Sequence, residues 1–186
     1  RVFAPWIDME AAMVENDIPL YGLESWDPIK EFDFIGFTLQ YELSFTALLH
    51  MLELAEVPLR SEDRDENYPL VVAGGPCACN PEPLADFIDI FFLGEGEEVD
   101  LEVIDLYKEY KAKGYSKKAF LRACADIEGV YVPSLYDVSY NEDGTVAAVS
   151  PLDGVKPVVK KRIIKDLDNC YYPDKFVVPY TDIVFD

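Results

Sequence analysis

Apolar runs that stop at glycine mark the middle of the chain. Leu70-Val71-Val72-Ala73 ends at Gly74-Gly75-Pro76, and Ile90-Phe91-Phe92-Leu93 ends at Gly94-Glu95-Gly96-Glu97. A third run, Phe32 to Leu39, is apolar almost throughout and gives way to the polar residues Gln40, Tyr41 and Glu42. Short continuous apolar runs read as strands covered on both faces, the pattern of a parallel sheet.

Helical spacing fills the intervals. Asp8 can cap a helix that keeps Met9, Ala12 and Met13 on one face, after a short strand candidate at Arg1 to Pro5. "PLYGLES" reads as a short extended piece and Asp27-Pro28 as the start of a brief helical turn. Ser44 to Ala55 places Phe45, Leu48, Leu49, Leu52 and Ala55 on one helix face. "PEPLADF" gives a proline-started turn between the two glycine-terminated strands. Glu98 to Lys113 reads as a long amphipathic helix, acidic in front, basic behind and stopped by Gly114; Ser116 caps a further helix to Asp126. Strands alternating with helices predict an α/β domain over residues 1–128, with a mostly parallel sheet and helices on both faces.

From Gly129 the pattern changes. "YDVSY" and "TVAAV" flank Asn141-Glu142-Asp143-Gly144, a hairpin signature, and Val158 to Ile164 adds one more strand candidate. Residues 129–170 thus read as an antiparallel β extension, and 171–186, rich in Pro and Tyr, as an ordered linker. The chain starts at Arg1 without methionine and ends on strand-like "YTDIVFD", which is expected of a piece of a longer protein.

Charge and cysteine content narrow the function. A formal net charge of −20 on 186 residues repels a phosphate backbone, so nucleic-acid binding by this chain is not expected. Cys77, Cys79, Cys124 and Cys170 are too few and scattered for a disulfide framework. No signal peptide or long apolar span is present, so no membrane partner is expected and a reducing cytoplasm fits. Cys77-Ala78-Cys79 is half of a metal site at most, with no second pair and a single histidine, His50, in a helical context; no metal is expected. No serine–histidine or paired-carboxylate arrangement stands out, so no catalytic residue is assigned. Glu95, Glu97 and Glu98 read as charges favoured by a helix N-terminus.

In an open parallel sheet, ligands sit beyond the carboxyl ends of the strands. Three loops fall there: Thr38 to Glu42, Gly74 to Pro83 and Gly94 to Glu98. Glycines in such loops either admit a ligand close to the backbone or permit a sharp strand-to-helix turn. Neither GxxxxGK[ST] nor GxGxxG occurs, which sets aside the common phosphate cradles.

The ordered set Gly74-Gly75-Pro76, Pro81-Glu82-Pro83, Asp89 and Gly94-Glu95-Gly96-Glu97 resembles the cobalamin-binding domain that precedes the catalytic core of many radical SAM proteins. With "RVFAPWIDMEA", "FDFIGFTLQYELSFT", "VPLRSEDRD", "GVYVPSLYDV" and "VKKRIIKDLD", nearly the whole chain is similar to the front portion of an uncharacterised bacterial subfamily of radical SAM fusion proteins. The resemblance implies a five-stranded flavodoxin-like domain that positions a cobalamin-type cofactor or a substrate. Thr38, Leu39, Gln40, Tyr41, Glu42, Gly74, Gly75, Pro76, Gly94, Glu95, Gly96 and Glu97 would face that ligand. A radical SAM domain would follow Asp186 in the same parent chain, carrying the 4Fe-4S cluster and S-adenosylmethionine, since no CxxxCxxC occurs here.

Two departures accompany the resemblance. The Asp-x-His-x-x-Gly loop that supplies an imidazole to cobalamin is absent. The first strand and helix of such a domain would lie upstream of Arg1, leaving an open sheet edge that could pair with a second copy. These departures keep a second reading beside the first: a ligand-free docking module of the same fold, with the basic residues Lys160, Lys161, Arg162 and Lys165 as its docking strip or as a solvated strand face. A flavin or nucleotide binder is a third reading, weakened by the lack of Ser/Thr-rich phosphate loops.

Overall fold

The computed structural model describes residues 1–172; residues 173–186, which hold most of the expected linker, lie outside the described residues. Four strands form the main sheet: β1 (Phe34–Thr38), β2 (Leu70–Gly74), β3 (Ile90–Phe92) and β4 (Val130–Tyr131), in that spatial order. β1 and β2 run parallel in register from Phe34 opposite Leu70 to Thr38 opposite Gly74. β3 is parallel to β2 and β4 antiparallel to β3. The chain is therefore α/β with a mostly parallel sheet, and the sheet takes its last strand from beyond residue 128.

Burial follows position in the sheet. Central β2 keeps Leu70, Val71, Val72 and Ala73 buried, as its unbroken apolar run requires. β1 has the same apolar pattern, yet only Ile35 is fully buried, while Gly36 and Thr38 are exposed. The expectation of cover on both faces is corrected there, because β1 ends the strand order and one of its edges is unpaired among the described residues.

Helices α1 (Ile7–Glu15), α2 (Phe45–Leu54), α3 (Gly96–Ala112) and α4 (Lys117–Cys124) supply the rest of the core. α2 buries Leu48 and Leu52, α3 buries Val99, Val103 and Tyr107, and α4 buries Phe120, Leu121 and Cys124. The Tyr107 ring packs edge-on against Phe34, Tyr115 and Phe120 at centroid distances of 4.8, 5.2 and 5.4 Å, tying β1 to α3 and α4. Its hydroxyl donates to Asp33 at 2.8 Å, so the buried ring leaves no polar atom unpaired. Burial also pushes the Cys124 thiol up to about 12. Iodoacetamide at pH 8 is accordingly expected to modify exposed Cys79 in the native protein and to reach Cys124 only in denaturant, as read by peptide mass spectrometry. Equal native labelling of both would contradict the packing of α4.

Two strand expectations are corrected. Arg1 to Pro5 joins no ladder; Leu23 N–H donates to the Arg1 carbonyl at 2.8 Å and Phe3 packs on the Tyr21 ring, so local contacts take the place of a sheet partner. Val158 to Ile164 is no strand either. Only Arg162 forms a bridge, parallel to Gly94 just past the end of β3, and one bridge makes no strand.

The expected hairpin forms from β5 (Tyr136–Tyr140) and β6 (Val146–Pro151), closed by Asn141–Gly144. Its base is anchored by buried Tyr136, whose hydroxyl donates to the Lys156 carbonyl at 2.8 Å, while β6 is exposed along its length.

Candidate functional site

The carboxyl ends of β1 and β2 are tied into one unit. Leu39 N–H donates to the Gly74 carbonyl at 2.7 Å, and Cys77 N–H donates to the Leu39 carbonyl at 3.1 Å. Leu39 is buried, whereas Thr38, Gln40, Tyr41 and Glu42 around it are exposed. The chain can fold this tightly because Gly75 has φ +97°; a Cβ there would lie 2.9 Å from the Leu39 carbonyl oxygen. The close approach that Gly75 permits is thus an approach of the chain to itself. Gly74 is different, since a Cβ on it would only touch Phe92 at 3.6 Å. Pro76 starts the 3-10 turn Pro76–Cys79, where burial and then the Glu42 carboxylate push the Cys77 thiol up.

The third loop has another neighbour. Gly94 has φ +107°, and a Cβ on it would sit 2.1 Å from the Arg162 carbonyl oxygen. Arg162 N–H donates to the Leu93 carbonyl at 2.7 Å, and Glu95 N–H donates to the Arg162 carbonyl at 3.1 Å. The Glu95 carboxylate accepts from Ile164 N–H. Gly96 and Glu97 open α3, where Glu97 and Glu98 stand in the first turn as the helix dipole favours. Glu97 also lines a shallow hollow of about 430 Å³ with Glu98, Glu102, Arg162 and Cys170. The structure therefore joins Thr38–Glu42 to Gly74–Pro76, and places Gly94–Glu97 at the next strand end under a segment of the chain itself.

His50 pairs with Glu10 at 3.1 Å and Glu53 at 3.7 Å on exposed faces of α1 and α2. Among the described residues no group of three or more His, Cys, Asp or Glu could hold a metal ion.

The opposite end of the sheet holds what the sequence did not reveal. Asp89, 1% exposed just before β3, accepts from Val71 N–H at 2.8 Å, from Arg64 at 3.0 Å, from Lys117 at 2.9 Å and from the Ser61 hydroxyl. Arg64 in turn donates to the carbonyls of Pro58, Leu59 and Phe87 at 2.8, 2.7 and 2.7 Å. Lys117 donates to the carbonyls of Ser61 and Arg64 at 2.9 and 2.7 Å. Every strong hydrogen-bonding direction is used within the protein, so the cluster is a structural clamp with nothing left for a ligand. A cleft of about 1020 Å³ adjoins it, lined by Arg60, Glu82, Phe87, Tyr131 and Tyr136 among others, and touches the three loops only through Glu82 and Pro83 at the far end of the second. Arg64 sits in a segment that reads as a solvated charged loop, so only the placement of Asp89 before an apolar run hinted at a buried partner.

These loops and strands carry a known signature. The family model of the N-terminal region of radical SAM proteins matches residues 1–133, more than half of the chain, and the chain belongs to that family. It is thus an N-terminal region of a radical SAM protein. It is also similar to "Uncharacterized protein MJ0966" of Methanocaldococcus jannaschii, with 32% identity over 139 residues, covering 68% of this chain and 29% of that protein. The chain therefore spans less than a third of that relative's length. No solved structure matches the chain significantly. Among the described residues no helix is long and apolar enough to cross a membrane.

Proposed function

We propose that this chain is a cobalamin-binding-like accessory domain that presents the carboxyl ends of its parallel strands to the radical SAM domain and orients a cobalamin-type cofactor or a substrate there. The observation that carries the reading is the braced β1–β2 loop pair, because it holds Gln40, Tyr41 and Glu42 outward on a fixed backbone where parallel sheets take ligands. Leu43, 86% exposed beside them, adds an apolar contact that favours docking of a neighbouring domain at the same edge. One edge of β1 is unpaired among the described residues, which leaves room there for the further strand of a flavodoxin-like order.

The residues suit a cobalamin-type ligand in this half of the edge only. Tyr41 offers a flat ring, 57% exposed, and Gln40 and Glu42 offer hydrogen-bonding groups. A bound cobalamin supplies the organometallic chemistry itself. This chain's part would be to orient the group and to exclude water, with Gln40, Tyr41 and Glu42 as the residues that would hold it.

A second reading, a docking module that binds no cofactor, is favoured by one specific observation: the Cβ directions of Gly75 and Gly94 are both filled by the chain itself. Titration of the folded chain with hydroxocobalamin, followed by absorption and thermal midpoint, separates the two. Binding to the native state alone stabilises it by about 2.7 kcal/mol at a hundredfold excess over Kd. An unchanged spectrum and midpoint in the folded chain, and in a chain extended at both ends, would leave the docking reading.

A further inference from the structure

We infer that the Gly94-Glu95-Gly96-Glu97 loop, with Gly129, Glu98 and Glu102, is a receptor for residues 159–164 of the same chain, an extended strap read through Arg162, which must lift before any ligand reaches that side of Gly94. The receptor stands on its own geometry; only the exclusion of a ligand rests on the reading above.

Independent contacts converge on this one residue. Two glycines far apart in sequence, Gly94 and Gly129, both have positive φ, and a Cβ on either would collide with Arg162, at 2.1 Å from its carbonyl oxygen and 2.8 Å from its Cβ respectively. Arg162 is also the only strap residue whose backbone pairs on both sides with the Leu93–Glu95 segment, the pattern by which an extended peptide adds to a strand. Its guanidinium donates to Glu98 at 2.7 Å and to Glu102 at 2.6 Å, two carboxylates one helical turn apart on α3.

Nη2 serves both carboxylates and Nη1 adds a longer contact to Glu102 at 3.4 Å, so the planar guanidinium engages Glu102 from two nitrogens where an ammonium would act as a point charge. The neighbouring Lys160, Lys161 and Lys165 are exposed, so the basic cluster is read at a single position. Buried Ile164 anchors one end of the strap and half-buried Val159 the other. Glu98 and Glu102 are each nearly half exposed, which keeps the capture reversible.

The test is hydrogen exchange by mass spectrometry on the chain and on Arg162→Ala, Arg162→Lys and Glu98→Gln/Glu102→Gln. Exchange in segments 93–96 and 159–164 is expected to rise at least tenfold in Arg162→Ala and in the double Gln variant, and less in Arg162→Lys, while segment 70–74 stays protected. The double Gln variant keeps the strap sequence and so decides the matter if Arg162→Ala fails to fold. Unchanged exchange at 159–164 in either variant overturns the inference, as does an equal rise at 70–74, which would make the contact part of global stability. Hydroxocobalamin binding that strengthens in Arg162→Ala supports the exclusion; binding that is equal in both forms overturns it. Binding to neither form counts against the cofactor reading and leaves the receptor to the exchange result.

Discussion

Asp89→Ala is expected to destabilise the protein by about 3–5 kcal/mol, the typical cost of removing one partner from a buried ion pair. The Arg64 and Asp89 side chains are both fully buried and Lys117 is only 12% exposed, so the variant would strand two cations at the amino end of the sheet. Val71 N–H would also lose its acceptor at 2.8 Å, which loosens the start of β2, a central strand buried from Leu70 to Ala73. Against a total stability of roughly 5–15 kcal/mol, such a loss brings the chain close to unfolding at room temperature. Asp86→Ala is the control. It breaks an Arg60–Asp86 pair of similar length, 2.8 Å, whose side chains are 51% and 65% exposed, and should cost no more than about 1 kcal/mol. Urea unfolding of the two variants measures the difference; Asp89→Ala within 1 kcal/mol of the parent protein would show that the clamp contributes little.

The parts of the fold that could be read from sequence are those where one local pattern dominates. Val71, Val72 and Ala73 could only be a buried strand, and the glycine after Lys113 stopped a helix whose charges already followed its dipole. The hairpin was legible because Asn141 to Gly144 specify their own turn. What stayed hidden depends on partners distant in sequence. Arg64 and Lys117 look like surface charges until the fold closes them over Asp89, 25 and 28 residues away. At the candidate site the glycines after Ala73 and Leu93 could be read as strand ends, but sequence alone left two uses for them open. Leu39 and Arg162, which fill the space a side chain would need at Gly75 and Gly94, lie 36 and 68 residues from the glycines they meet, beyond any local pattern.

Gly94→Ala is the other substitution expected to have a large effect, about 2–6 kcal/mol, because two costs add. An alanine held at φ +107° strains the backbone by about 1–3 kcal/mol. Its Cβ also falls 2.1 Å from the Arg162 oxygen and 2.7 Å from the Arg162 nitrogen, distances at which backbone must move, a form of overpacking that costs about 1–3 kcal/mol. Gly144→Ala separates the two terms, since φ there is +83° and a Cβ meets nothing within 4 Å. It should show the strain alone. The excess of Gly94→Ala over Gly144→Ala in urea unfolding then measures the contact with the strap. The protein has one cheaper way out, which is to release residues 159–164 and keep the sheet. In that case the excess is small, the strap segment exchanges as fast as it does in Arg162→Ala, and β2 remains protected. Equal losses of stability in the two glycine variants, with the strap still protected, would mean that Gly94 tolerates a side chain and that Arg162 does not rest against it.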